Sequence, residues 1–372
     1  TEYNASIGGN IATNASGARS FKYGATRRYV ERLEVVLTTG EILNIPRGKY
    51  KADIRGIIKF GKHKLQIPKY HWPQIKNAAG YFTKPDMDLI DLFIGSEGTL
   101  GVVTQAELKL LPKDGSIFAC FAFFAAIDKA FVFAQAVKQL SYANRVKNDR
   151  RALNALGIEY FDDNALALLR PKYPQIPAET KALIFIEEEI TKEREGQYLE
   201  EWGDMLGKFG AIDSWTADNP KKEKEFKEFR HALPEAVNEI VKRRGFPKVG
   251  TDMAVPADKF PEMFKHYYEV LNATGMEHLV FGHIGDSHLH VNILPKSDAE
   301  VTATKDIYLK FVHKAVDLGG TPSAEHGIGK LKYLFLREMI GDDGIKEIIR
   351  IKKALDPAGI LNRGNMFPAD LL

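Results

Sequence analysis

The chain has 372 residues and a formal net charge of +3, from 52 Lys and Arg against 49 Asp and Glu. With 44% hydrophobic and 27% charged residues it has the composition of roughly two or three globular domains; disorder, collagen and coiled coil are excluded, and the charge is too small to imply nucleic acid. The single cysteine, Cys120, excludes an internal disulfide and a thiolate zinc cluster, and the longest apolar run, residues 117–127, falls short of the ~20 residues of a membrane span.

Residues 1–28 are rich in Gly, Asn, Ala and Ser. Residues 32–45 predict two strands around the turn Thr38-Thr39-Gly40-Glu41, because Leu33, Val35 and Leu37 alternate and Ile42-Leu43 follow. From Arg47 to Lys76, nine Lys and Arg accompany one acid, Asp53, with Tyr50, Tyr70 and Trp72 interspersed. That segment is a solvated insertion or a docking surface for an acidic partner or anionic lipid. A second glycine cluster at 94–101 precedes an alternating strand over 103–111, and Pro112-Lys113 marks a boundary. Beyond it the pattern changes to strand–helix units. Strands are expected at 118–125 and 182–190, and helices at 128–140, 192–207, 221–243 and 258–273. Residues 277–295 read as two strands around 282–286, and helical segments close the chain. The acidic run Glu187-Glu188-Glu189 is expected on a solvated strand edge.

Three motifs carry chemistry. Ile7-Gly8-Gly9-Asn10-Ile11-Ala12-Thr13-Asn14-Ala15-Ser16-Gly17 and Gly95-Ser96-Glu97-Gly98-Thr99-Leu100-Gly101 let a backbone approach phosphate or a flat ring closely. Spacing alone allows a tight loop as readily as a ligand cradle, and neither cluster matches the dinucleotide fingerprint. The third motif is His283-Ile284-Gly285-Asp286-Ser287-His288-Leu289-His290, joined by Glu325-His326-Gly327. Two imidazoles and a carboxylate form a common catalytic metal set with an open position. His288 and His290 share one strand face, since side chains alternate with period two. A hydrogen-bonded turn with core histidines is the alternative.

The stretches IGGNIATNASGARSFKYGATRRYVERLEVVLTTGE and LFIGSEGTLGVVTQAELKLLP resemble the FAD-linked oxidases of the vanillyl-alcohol-oxidase type. Within that family the likeness is to the D-lactate dehydrogenase, glycolate oxidase flavoprotein subunit and D-2-hydroxyglutarate dehydrogenase group, and it runs through nearly the whole chain. The resemblance implies an α+β flavoprotein. Residues 1–113 would be the second half of the FAD-binding domain, with a basic insertion at about 47–76. Residues 114–325 would be an α/β substrate domain with an antiparallel sheet, and 326–372 a C-terminal helical segment returning to the flavin.

It further implies FAD contacts from Gly8, Gly9, Asn10, Asn14, Gly17, Gly95, Glu97, Gly98, Gly101, Val103 and Asn362. His283, His290 and Glu325 would bind a divalent metal, zinc by analogy, and His326 would act as the base. Arg230, Lys248 and Asn292 would hold the substrate. The implied reaction is FAD-dependent oxidation of a D-2-hydroxy acid to the 2-oxo acid. The electrons would pass to a quinone, cytochrome, electron-transfer flavoprotein or iron–sulfur subunit. An alkyl-dihydroxyacetone-phosphate-synthase-like flavoenzyme and a non-catalytic, partner-dependent subunit are the alternatives. A cytoplasmic location, with or without peripheral membrane attachment, and self-association are expected.

The chain departs from the resemblance in two motifs. Ser287-His288 stands where the family has Gly-Asn, and Asn362-Arg363-Gly364-Asn365 lacks the Pro and Lys of the family's closing motif. The family's pyrophosphate loop would also precede Thr1, so this chain alone is expected to bind FAD weakly, as a fragment, a processed product or one part of an assembly.

Overall fold

The computed structural model describes residues 5–112, 115–217 and 219–372. The boundary expected at Lys113 lies outside the described residues. Strand β1 (Val30–Val36) pairs antiparallel with β2 (Ile42–Pro46), setting Val35 opposite Leu43 and Leu33 opposite Ile45. The alternation therefore puts Leu33, Val35, Leu43 and Ile45 on one buried face.

The segment between Arg47 and Lys76 is more ordered than a solvated insertion. It contains a hairpin of β3 (Ile57–Phe60) and β4 (His63–Gln66), with Ile58, Phe60 and Leu65 buried and Lys59, Lys62 and Lys64 exposed. Strand β5 (Val102–Leu108) completes the sheet in the order β2-β1-β5 and ends short of residue 111. Helices α1 (Ile7–Ala12), α2 (Ser20–Tyr23) and α3 (Leu89–Phe93) belong to this N-terminal part.

The second sheet comprises β6 (Ser116–Phe124), β7 (Ala155–Asp162), β8 (Ala182–Ile190), β9 (Asp213–Ala217), β10 (Val249–Gly250), β11 (His278–Gly282) and β12 (His290–Ile293). Its order is β10-β12-β11-β7-β8-β6-β9, and neighbouring strands run antiparallel. On β6, Phe118, Cys120, Ala122 and Phe124 face α4 (Ile127–Lys147), while Phe121 and Phe123 face the other side.

The second face is covered by α5 (Asp163–Leu169). The first also carries Trp202 of α6 (Tyr198–Lys208). Phe226 and Phe229 of α7 (Pro220–Arg244) join α5 on the second face. The first face is completed by α8 (Phe260–Thr274) and α9 (Asp298–Asp317). The last helix, α10 (Tyr333–Leu355), broken at Gly341, returns Ile345, Ile348, Ile351 and Leu355 to the N-terminal core. Among the described residues no helix is long and apolar enough to cross a membrane.

The acidic run is not a solvated edge, because β8 lies inside the sheet between β7 and β6. Glu187 takes a bidentate pair from Arg19, and Glu189 accepts from Lys22 at 2.9 Å and Tyr23 at 2.8 Å. Glu188, 1% exposed, accepts from Trp202 Nε1 at 2.7 Å and Arg194 Nε at 3.2 Å. Three adjacent carboxylates thus anchor α2 and the sheet's own cover. Gly157 on β7 allows this approach: a Cβ there would stand 2.8 Å from the Ala18 carbonyl oxygen. That contact carries the first glycine cluster to the sheet end where the histidines lie.

Candidate active site

The loop from β11 to β12 tightens through a 3-10 turn at Ile284–Asp286, with Ser287 at φ +56°. This turn returns the chain so that Phe281 pairs with His290 across the ladder and His283 comes within 5.5 Å, ring to ring, of His290. His288 lies 4.5 Å from His290 and 5.4 Å from His283 by the same measure. One ligand atom each from His283, His288, His290 and Glu325 lies within 4.8 Å of the others.

Each imidazole has a carbonyl or carboxylate behind it. His283 Nδ1 donates to Glu159 Oε1 at 2.6 Å, and His290 Nδ1 donates to the Thr251 carbonyl at 3.0 Å. Their Nε2 atoms lie 3.2 Å and 3.7 Å from Glu325 Oε2. An acceptor on Nδ1 fixes the tautomer and leaves Nε2 as the free donor atom, the usual arrangement behind a bound metal. The buried set therefore fits a divalent ion.

Electrostatics sharpen the picture. Burial works against charge on His283, but Glu159 and Glu325 outweigh it and raise its pKa to about 9. His288, fully buried and beside His290, is lowered to about 3 and is neutral. Burial opposes the ionised forms of Glu325 and Asp252, yet neighbouring cations and hydrogen bonds hold both well below the usual carboxylate range.

Asp252 is the second hub. Its oxygens accept from Ser323 Oγ at 2.6 Å and the His326 amide at 2.9 Å. They also lie 3.1 Å from His288 Nε2, 3.4 Å from His326 Nδ1 and 3.4 Å from Lys332 Nζ. His326 stacks on His290 at 5.4 Å and has a side chain 61% exposed, so it stands at the mouth of the cluster.

Of the residues expected to hold substrate, Arg230 lies 3.7 Å from Glu159 Oε2 and over the Phe185 ring. It is thus one carboxylate removed from His283. Asn292 is 3% exposed on β12, next to the cluster's strand. Lys248 is exposed before β10, and no hydrogen bond or ion pair among the described residues joins it to the cluster.

The two glycine segments lie side by side: Gly95 N donates to Ile11 O at 2.9 Å and Glu97 N to Ala12 O at 2.8 Å. Asn14 is buried at φ +49° with Gly95 against it, and Gly101 packs on Val35. Nothing lies within 4 Å of a Cβ built on Gly8 or Gly17, and Gly9, with Gly8, is exposed beside the half-buried Asn10. That bare backbone fits a flat ligand. A Cβ built on Gly98 would lie 3.7 Å from Asn362 Nδ2. Val103 pairs with Val35 on β1.

The Glu97 side chain turns to the other end of the chain, accepting from the amides of Ile328 at 2.6 Å and Gly329 at 2.8 Å. Asn362, at φ +45°, donates from Nδ2 to the Glu97 carbonyl.

Lys76, Glu159, Asp252 and Lys332 are site residues that the sequence reading did not single out. Lys76 Nζ is buried 2.5 Å from Glu325 Oε1, 3.2 Å from Asp286 Oδ2 and 3.5 Å from the Gly17 carbonyl. In sequence it looked like the last of nine scattered cations; no local signal distinguishes it.

Residues 129–366 match the family "FAD linked oxidases, C-terminal domain", and residues 1–46 match "FAD binding domain". The chain is 30% identical to the glycolate oxidase subunit GlcD of Bacillus subtilis, over 98% of this chain and 68% of that protein. It is 29% identical to a D-lactate dehydrogenase of Anaerostipes hadrus, over 97% and 69%. Its fold resembles that of an alkyldihydroxyacetonephosphate synthase, with a TM-score of 0.58 at 15% identity over 96% of this chain; the chain spans 57% of that structure. The sheet, the paired glycine segments and the sequence matches lead to one conclusion: the chain belongs to the FAD-linked oxidases.

Proposed function

We propose that the protein oxidises a D-2-hydroxy acid to the 2-oxo acid with FAD. One observation carries this reading: Lys76 touches the glycine-rich segment through Gly17 and the histidine–glutamate cluster through Glu325, so the flavin side and the polar cluster share one site. Relatives bearing the names glycolate oxidase subunit and D-lactate dehydrogenase support the substrate class. The flavin, when bound along the glycine segments, supplies the hydride acceptor, and the protein's part is placement.

His283, His290 and Glu325 would hold a divalent ion, whose chemistry there is to favour the ionised substrate hydroxyl. Arg230 binds the carboxylate: the Glu159 carboxylate is 3.7 Å away, and a guanidinium has five donors in a planar fork. Asn292 and Lys248 are the further substrate contacts. His326 accepts the hydroxyl proton. Asp252, 3.4 Å from its Nδ1, orients the ring, and that role makes Asp252 a positioning residue. Residues 1–113 would form the flavin side, 114–325 the substrate side, and 326–372 the returning segment.

The test is anaerobic bleaching of the FAD-loaded protein by D-lactate, glycolate and D-2-hydroxyglutarate, with L-lactate as control. The reading expects bleaching by at least one of the three and reoxidation by an artificial acceptor dye. A flavin that stays oxidised with every acid rules it out. Arg230→Met should raise KM by more than about tenfold with kcat largely kept, since a desolvated carboxylate loses its partner.

A further inference from the structure

His288 is fully buried, and neither ring nitrogen has a hydrogen bond of good geometry. Its Nε2 lies 3.1 Å from Asp252 Oδ1, an ionised carboxylate that can only accept, so the proton of the neutral ring belongs on Nε2. Nδ1 then carries a lone pair with no donor facing it. At His283 and His290 one ring nitrogen is likewise backed by an acceptor, while the other faces Glu325 Oε2; at His288 the two nitrogens exchange places and the second faces no partner. A buried imidazole costs free energy unless such a lone pair finds a partner. One ring nitrogen of His288 lies within 4.8 Å of a donor atom of each of His283, His290 and Glu325, and with Nε2 turned to Asp252 the nitrogen left for an ion is Nδ1. A coordination sphere with bonds of about 2.0–2.1 Å spans roughly 4 Å, so modest side-chain rotation closes the set.

Resting on the reading that His283, His290 and Glu325 hold a divalent ion, we propose that His288 is a fourth protein ligand to that ion, making the centre three imidazoles and one carboxylate. Such a set selects zinc, cobalt or nickel over magnesium and calcium, which prefer oxygen ligands. With four protein ligands the ion would have no open fourth position of the kind three ligands leave. Asp252 gains a double assignment: it backs His288 and His326 at once and ties the ligand to the base.

The experiment strips the FAD-loaded protein with a chelator and titrates zinc ion alone against a chromophoric competitor. The protein and its variants His288→Asn, His288→Cys and His283→Ala are compared, with cobalt ion added separately for visible spectra. The proposal expects His288→Asn to weaken zinc binding at least tenfold and to change the cobalt spectrum. It expects His288→Cys to show a thiolate-to-cobalt charge-transfer band, which a merely structural residue 288 would not produce. Should His288→Asn lose its fold by circular dichroism, the Cys variant decides alone. Wild-type zinc affinity and an unaltered cobalt spectrum in His288→Asn, with no thiolate band in His288→Cys, overturn the proposal; loss of the ion in His283→Ala then leaves the three-ligand reading standing. Failure of the unmutated protein to bind zinc or cobalt overturns both.

Discussion

Lys76 is the residue on which the site's charge balance turns. Its ammonium neutralises Glu325 and Asp286 in a place where the three side chains are no more than 10% exposed. Burial disfavours that charge, but the two carboxylates outweigh it and raise the lysine's pKa. Lys76→Met therefore takes the lysine from both buried carboxylates and leaves Glu325 with the two imidazoles alone, and the loss expected is about 3–5 kcal/mol, read from the urea midpoint. Zinc added to the variant should recover more stability than zinc added to the parent, because an ion would restore the missing positive charge. Equal recovery in the two proteins would separate Lys76 from the ion's site. At the exposed edge of the same cluster, the proposed role of His326 as base predicts that His326→Ala lowers kcat about 10²- to 10⁴-fold in the dye assay with little change in zinc content.

The junction of β7, α5 and β11 shows how one side chain serves several elements. Asp162 caps α5 by accepting from Ala165 N at 2.8 Å, and its other oxygen accepts from Val280 N at 2.9 Å in β11. Asp162→Ala removes a cap worth about 1 kcal/mol and leaves a buried amide unpaired for about 1–3 more, so a loss of roughly 2–4 kcal/mol is expected in chemical denaturation. Burial raises the Asp162 pKa from 3.8 to about 7 in spite of these bonds. Between those values the native protein keeps a proton that the unfolded chain has released. This group's contribution is thus complete below the unfolded pKa and is lost as pH rises through about 7. Asp162→Asn should flatten that part of the stability–pH curve; an unchanged slope would assign it to another group.

Across the whole molecule, the N-terminal part and the segment that follows Glu325 and His326 are joined by Glu97. One carboxylate receives the amides of Ile328 and Gly329 and the Asn365 side chain at 3.2 Å, while its own amide donates to Ala12. Burial raises its pKa, which those three donors only partly offset. Removing it should loosen the segment that follows Glu325 and His326 without touching either. For Glu97→Ala we expect hydrogen exchange at residues 327–331 to speed up by more than tenfold, and a stability loss of about 2–4 kcal/mol from two unpaired amides. Protection equal to the parent's would mean that the 327–329 turn is held from elsewhere.

Local chemistry determined a good deal by itself. The alternation of Leu33, Val35 and Leu37 marks β1, and the 3.6-residue period marks α7 and α8, because each pattern answers to one covered face. The spacing of His283, His288 and His290 also singled out the residues that the structure gathers with Glu325. Tertiary structure alone decided what depends on distant partners. Strand β7 is buried along its length, with helices over both sheet faces, so it shows no alternation to read. The run at Glu187–Glu189 looked solvated because charge usually is; its partners Arg19 and Lys22 come from a segment more than 160 positions away, which only folding brings near. Lys76 meets Glu325 across 249 positions of chain for the same reason. A buried charge is defined by its counter-charge, and a one-dimensional pattern carries the first but not the distance to the second.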